Sequence, residues 1–121
     1  MIAALELLGT LGGRRIAVLG EMLELGDDAD EAHRAVGRRS IGLADRLVTV
    51  GAGADAIAAG AREAGLGPAF IDRVADRQEA LELLVDILRP GDAVLVKASR
   101  GVALDLLVDD LVAAGSDAVT A

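Results

Sequence analysis

Val94-Leu95-Val96-Lys97-Ala98-Ser99-Arg100-Gly101 is the stretch on which the fold of this chain turns. Its apolar run does not alternate with polar residues, as expected for a short strand covered on both faces of a sheet. Lys97, Ser99 and Arg100 then crowd the carboxyl end of that strand, just ahead of a helical segment near Leu104–Ala114. In open α/β sheets ligands bind beyond the carboxyl ends of strands, and a following helix N-terminus offers unpaired N–H groups to anions. The turn is therefore a candidate site for a phosphate or a carboxylate.

Outward from this stretch, strand-like and helix-like segments alternate. Short apolar runs occur at Ile16–Gly20, Leu47–Gly51, Ala69–Asp72 (the weakest) and Ala93–Val96, each closed by glycine or polar residues. Helical segments lie near Asp30–Leu43, Asp55–Ala64, Asp76–Leu88 and Leu104–Ala114. In the third, Leu81, Leu84, Val85 and Leu88 form the expected apolar stripe, and Asp76 with Glu79 has the spacing of an N-terminal cap. In the fourth, Leu104, Leu107, Val108 and Leu111 are expected to face inward, with Gly115 as a stop. Repeated strand–helix units give a mainly parallel sheet with right-handed crossovers. The predicted fold is a three-layer, Rossmann-like α/β domain.

Composition narrows the function. At 121 residues the chain is long enough for one core and too short for two. Its 12 Lys and Arg against 20 Asp and Glu leave a net charge of -8, which disfavours nucleic acid as a partner. Phe70 is the only aromatic residue, so base-stacking platforms are absent, and without cysteine there is no thiolate zinc site or thiol nucleophile. No apolar run reaches the roughly 18 residues of a membrane helix, so no membrane insertion is expected. Met1–Leu8 already reads as helix with no capping residue before it, which points to a domain taken from a longer chain.

Three constellations could carry chemistry. Gly51-Ala52-Gly53-Ala54-Asp55-Ala56 follows a strand, opens a helix and fits the G-x-G-x-x-G/A pattern, with Asp72 about 20 residues on. It is either a tight turn of small residues or a free-standing nucleotide or dinucleotide site. The acidic segment from Gly20 to His33 has carboxylates that suit magnesium, yet it lacks the spacing of a calcium loop. Asp28 or Asp30 more simply caps the next helix. The third is the Lys97–Gly101 turn. Position 97 is lysine where a nucleophile elbow needs glycine, His33 is the only histidine, and no Walker loop occurs, so catalysis by this turn alone is not expected. Binding remains: Arg100 offers a planar fork, Lys97 a point charge and Ser99 a hydroxyl. The alternative is that both cations merely pair with carboxylates on an acidic surface.

Together, Arg15–Gly26, His33 with Val36-Gly37, and Gly91–Gly101 resemble the C-terminal domain of the Mur ligase family. The resemblance runs from about Met1 to Leu111. Glu21 stands where the family often has aspartate, and Ala98 where it often has glycine. The resemblance implies one domain of a three-domain cytoplasmic enzyme of peptidoglycan synthesis, an ATP-dependent ligase forming a carbon–nitrogen bond. Within the family the best match joins D-alanyl-D-alanine to a nucleotide-linked muramoyl tripeptide. ATP and Mg2+ would be held mainly by a central domain outside this chain, and the chain alone would be inactive. Its partners would be the central and N-terminal domains, with residues 1-10 a helix following an interdomain hinge and 11-121 the Rossmann-like domain. Carried over residue by residue, Lys97, Ser99 and Arg100 are implied to face substrate, with no catalytic residue and no metal ligand in this chain. Gly20, Glu21, Glu24 and His33 are implied to line the same cleft, with no physical role for His33 evident from the sequence.

Overall fold

A computed structural model describes residues 1–22, 28–97, 105–113 and 119–120. Five strands, β1 (Arg15–Gly20), β2 (Arg46–Val50), β3 (Ile71–Val74), β4 (Ala93–Lys97) and β5 (Val119–Thr120), form one sheet in the order β3-β2-β1-β4-β5. Each neighbouring pair is parallel. The helices are α1 (Ile2–Gly9), α2 (Ala29–Arg39), α3 (Asp55–Glu63), α4 (Arg77–Ile87) and α5 (Asp105–Ala113). The domain is the three-layer, Rossmann-like α/β fold expected from the alternating segments.

The uninterrupted apolar strands are explained by burial on both faces. Leu19, Leu47 and Leu95 point to the layer of α1, α2 and α3, where Leu5, Leu8 and Ile57 meet them. Val18, Val48 and Val96 point to the other layer, against Leu84 of α4 and Leu107 of α5. Helices α2 and α3 approach closely because both carry glycine at the crossing. A Cβ on Gly37 would run into the carbonyl oxygen of Ile57, and one on Gly60 into that of Arg34.

Three arginine–aspartate pairs clamp the amino-terminal edge of the sheet. Arg14 joins β1 to β4 through Asp92 at 2.6 Å, and its Nη2 also donates to the Ile87 carbonyl at the end of α4. Arg15 pairs with Asp45 at the start of β2 at 3.2 Å and donates to the Gly9 carbonyl at the end of α1. Arg46 pairs with Asp72 across β2 and β3 at 2.7 Å. The same guanidinium forks thus tie strand starts together and satisfy carbonyls that helix ends leave unpaired.

Several sequence expectations are corrected. Val85 is 56% exposed, because one residue past buried Leu84 lies about 100° around the helix and off the stripe formed with Ala80. The third strand starts at Ile71 rather than Ala69, since Pro68–Phe70 forms a 3-10 turn that delays it. Helix α2 stops at Arg39, where the Ser40 hydroxyl donates to the Gly37 carbonyl at 2.6 Å, and Gly42 takes a positive φ. Asp28 occupies the N-cap position of α2 without a side-chain capping bond, while Asp30 pairs with Arg34 instead. The Asp76 cap does form: its carboxylate accepts the Glu79 amide at 2.9 Å, and Glu79 accepts the Ala75 amide at 3.2 Å. Leu107 and Leu111 are buried and Val108 packs beside them, whereas Leu104 and Gly115 lie outside the described residues. Strand β5 follows from no pattern read in the sequence.

Candidate functional site

The strand order fixes where a ligand would sit. From β1 the chain steps outward to β2 and β3, then returns to the other side of β1 as β4. The loops after β1 and β4 therefore diverge, and the carboxyl ends of those two strands border the crevice of an open α/β sheet. Lys97 is in register with Leu19, so the ammonium-bearing residue sits one strand away from Gly20 and Glu21. Alternation with Leu95 turns the Lys97 side chain toward the layer of α1, α2 and α3. The lysine is half-buried, and no described carboxylate forms an ion pair with it. The salt-bridge alternative for this cation thus has no support among the described residues. Ser99, Arg100 and Glu24 lie outside them.

His33 has a physical role that the sequence did not disclose. It is buried on α2, and its Nε2 accepts the backbone N–H of Met22 at 3.0 Å. Because Nε2 accepts, the ring proton sits on Nδ1, which donates to the Ala29 carbonyl at 2.6 Å. One imidazole therefore ties the segment leaving β1 to the first turn of α2. Both ring nitrogens of His33 are thus engaged by the backbone on either side of the loop.

Glu21, one residue before this anchor, is half-buried and lies over the turn that follows β2. Its carboxylate fills the space that a Cβ on Gly53 would need. Gly51 sets up that turn with a φ of +91°, a conformation that favours glycine, and Ala52–Ala54 continues as a 3-10 turn into α3. The dinucleotide-like pattern is thus a tight strand-to-helix turn. A carboxylate already occupies the face over Gly53, where the pattern would bring a pyrophosphate, and its charge would repel one. No signal in the sequence links Glu21 to Gly53, because 32 positions separate them.

Among the described residues no group of three or more His, Asp or Glu could hold a metal ion. No described helix is long and apolar enough to cross a membrane.

The family model described as "Mur ligase, glutamate ligase domain" matches residues 1–100. A UDP-N-acetylmuramoyl-tripeptide--D-alanyl-D-alanine ligase of Mycobacterium leprae is 44% identical over 111 residues, covering 89% of this chain and 22% of the relative. The Bacillus subtilis protein of the same name is 36% identical over 118 residues, covering 93% and 25%. Among solved structures, a crystal structure of MurF from Acinetobacter baumannii superposes with a TM-score of 0.77 at 32% identity, over 90% of this chain and 24% of that one. MurF ligase from Thermotoga maritima, solved in complex with ADP, superposes with a TM-score of 0.69 at 25% identity, over 88% and 23%. The chain spans about a fifth to a quarter of the length of the relatives it matches.

Proposed function

Because the chain belongs to the Mur ligase family, we propose that it is the C-terminal domain of an ATP-dependent ligase that joins D-alanyl-D-alanine to UDP-N-acetylmuramoyl-tripeptide in the bacterial cytoplasm. The observation that carries this reading is the register of β1 and β4, which sets Lys97 beside Leu19 at the carboxyl ends of both strands, in a chain whose relatives bear that name. The central and N-terminal domains of the same enzyme are the partners. They hold ATP and Mg2+, and ATP supplies the phosphoryl group that activates the tripeptide carboxylate for attack by the dipeptide amine.

In this reading the crevice is half a site. Lys97 is a fixed cation for an anionic group of the substrates, and Ser99 and Arg100 on the same turn add a hydroxyl and a planar fork. Glu21 is held in place by the Met22–His33 bond and lines the opposite wall. Glu24 is proposed to line the cleft with it. The chain lends positioned charge and closes over a cleft whose phosphate-binding machinery lies on another domain.

A division of labour of this kind predicts that the purified 121-residue chain turns over no ATP, whether or not the dipeptide is present. Phosphate release from the chain above that of a heat-denatured control would contradict it.

A further inference from the structure

A second polar cleft lies away from the β1/β4 crevice, between α3 and the edge strand β3. It has a volume of about 340 Å3 and is lined by Asp55, Ala58, Ala59, Arg62, Pro68, Ile71 and Arg73. That volume is at the small end of ligand sites, which run from about 300 to 1,000 Å3. Ala58 and Ala59 keep the α3 wall low, while Pro68 and Ile71 make an apolar wall opposite. Two guanidinium groups, Arg62 from the last turn of α3 and Arg73 from β3, serve the same space.

Most of the other described arginines are engaged by the protein itself. Arg14, Arg15, Arg34, Arg38, Arg39 and Arg46 each pair with a carboxylate. Among the described residues Arg62, Arg73, Arg77 and Arg89 pair with none, although the chain carries eight more acids than bases, and of these four only Arg62 and Arg73 line the cleft. Asp55 shares their cleft without closing an ion pair on either. On so acidic a chain, two exposed cations that line one cleft without a protein partner are matched to an anion from outside.

We propose that this cleft binds a small molecule bearing one carboxylate or phosphate group on a short apolar body. Arg62 and Arg73 supply forked donors that such oxyanions accept in pairs. Ala58, Pro68 and Ile71 take the apolar part. Asp55 repels a second negative charge, so polyanions such as nucleotides are selected against. The proposal is independent of the ligase reading, because β3 is separated from β1 by β2.

The test is a titration of the 121-residue chain with inorganic phosphate and, separately, with butyrate, each at ionic strength fixed by chloride. Arginine Nε–H and backbone amide resonances are followed by nitrogen-edited NMR. The expected result is saturable shifts at Arg62, Arg73, Ala58 and Ala59 with at least one of the probes. Arg77 and Arg89, which lie outside the cleft and have no described ion pair, serve as internal controls and should stay still. Arg62→Gln and Arg73→Gln should each weaken binding at least about tenfold, since a hydrogen bond to a charged group contributes about 1.5–3 kcal/mol. Asp55→Asn should tighten it. A response to phosphate alone assigns the phosphate class, and a response to butyrate alone the carboxylate class. Shifts that fail to saturate, that Arg77 and Arg89 share, or that survive in the double variant would overturn the proposal.

Discussion

A methyl group at position 53 would displace a carboxylate rather than a backbone atom. The obstacle is the far end of the Glu21 side chain, which can swing aside, and Gly53 itself has no positive φ to forbid a side chain. Gly53→Ala is therefore expected to cost less than about 1 kcal/mol of stability while moving the Glu21 carboxylate, because an overpacked site is relieved when its neighbour can rotate. Urea unfolding alongside the Glu21 side-chain resonance checks both halves. A large stability loss, or an unmoved Glu21, would show that the contact is rigid or absent. Single residues were unevenly legible. Lys97 stood out because a cation at a strand's carboxyl end has few structural uses. His33 did not, since its partners are a backbone N–H and a carbonyl, and main-chain groups leave no trace in a sequence.

Helices α2 and α3 show the opposite glycine chemistry. At Gly37 and Gly60 the obstacle is a carbonyl oxygen of the facing helix, which cannot rotate away. Alanine in a helix normally gains about 1 kcal/mol over glycine. Here overpacking against a fixed backbone outweighs that gain, so Gly37→Ala and Gly60→Ala should each lose about 1–2 kcal/mol net. Thermal unfolding would read this, and a raised midpoint would mean that the helices separate without penalty. Element identity was legible where apolar runs were continuous, as at Ile16–Gly20 and Ala93–Val96. Boundaries were less so: the Pro68 turn shortens β3 at its start, and Ser40 ends α2 before its apolar pattern does. Two-residue β5 is too short to carry a pattern, and only the neighbouring β4 defines it.

Across the whole molecule, the two ends of the sheet have separate jobs. Arginine–aspartate pairs pin the amino-terminal edge, and the carboxyl-terminal edge carries the crevice. At the pinned edge, the hydrogen bonds from the Arg14 side chain hold the Asp92 carboxyl below the ordinary carboxylate range; burial opposes the shift, and the Arg89 amide adds to it. The Arg15 side chain lowers Asp45 in the same way. A carboxyl lowered on folding adds stability that is fully present above its unfolded value of about 3.9 and is lost as the pH falls through the folded value. Asp92→Asn should therefore unfold more easily at pH 7, with the gap to the unsubstituted chain closing as acid is added below pH about 4. Parallel urea midpoints across that range would contradict the clamp. The two-edged arrangement was legible only in part. The strand-end motifs were visible, but which strands lie side by side depends on a strand order that no local pattern encodes.

At the other edge, the proposed half-site makes one demand on a ligase that contains this domain. Lys97→Ala and Arg100→Ala should each lower kcat/KM for D-alanyl-D-alanine by about tenfold or more, the scale of one lost charge-assisted hydrogen bond, while the far-ultraviolet spectrum of the domain is unchanged. Steady-state ligation kinetics of these variants are the most direct measurement. If turnover and KM stay at the unsubstituted values in both, the turn after β4 does not face substrate, and the crevice is not the cleft that this domain closes.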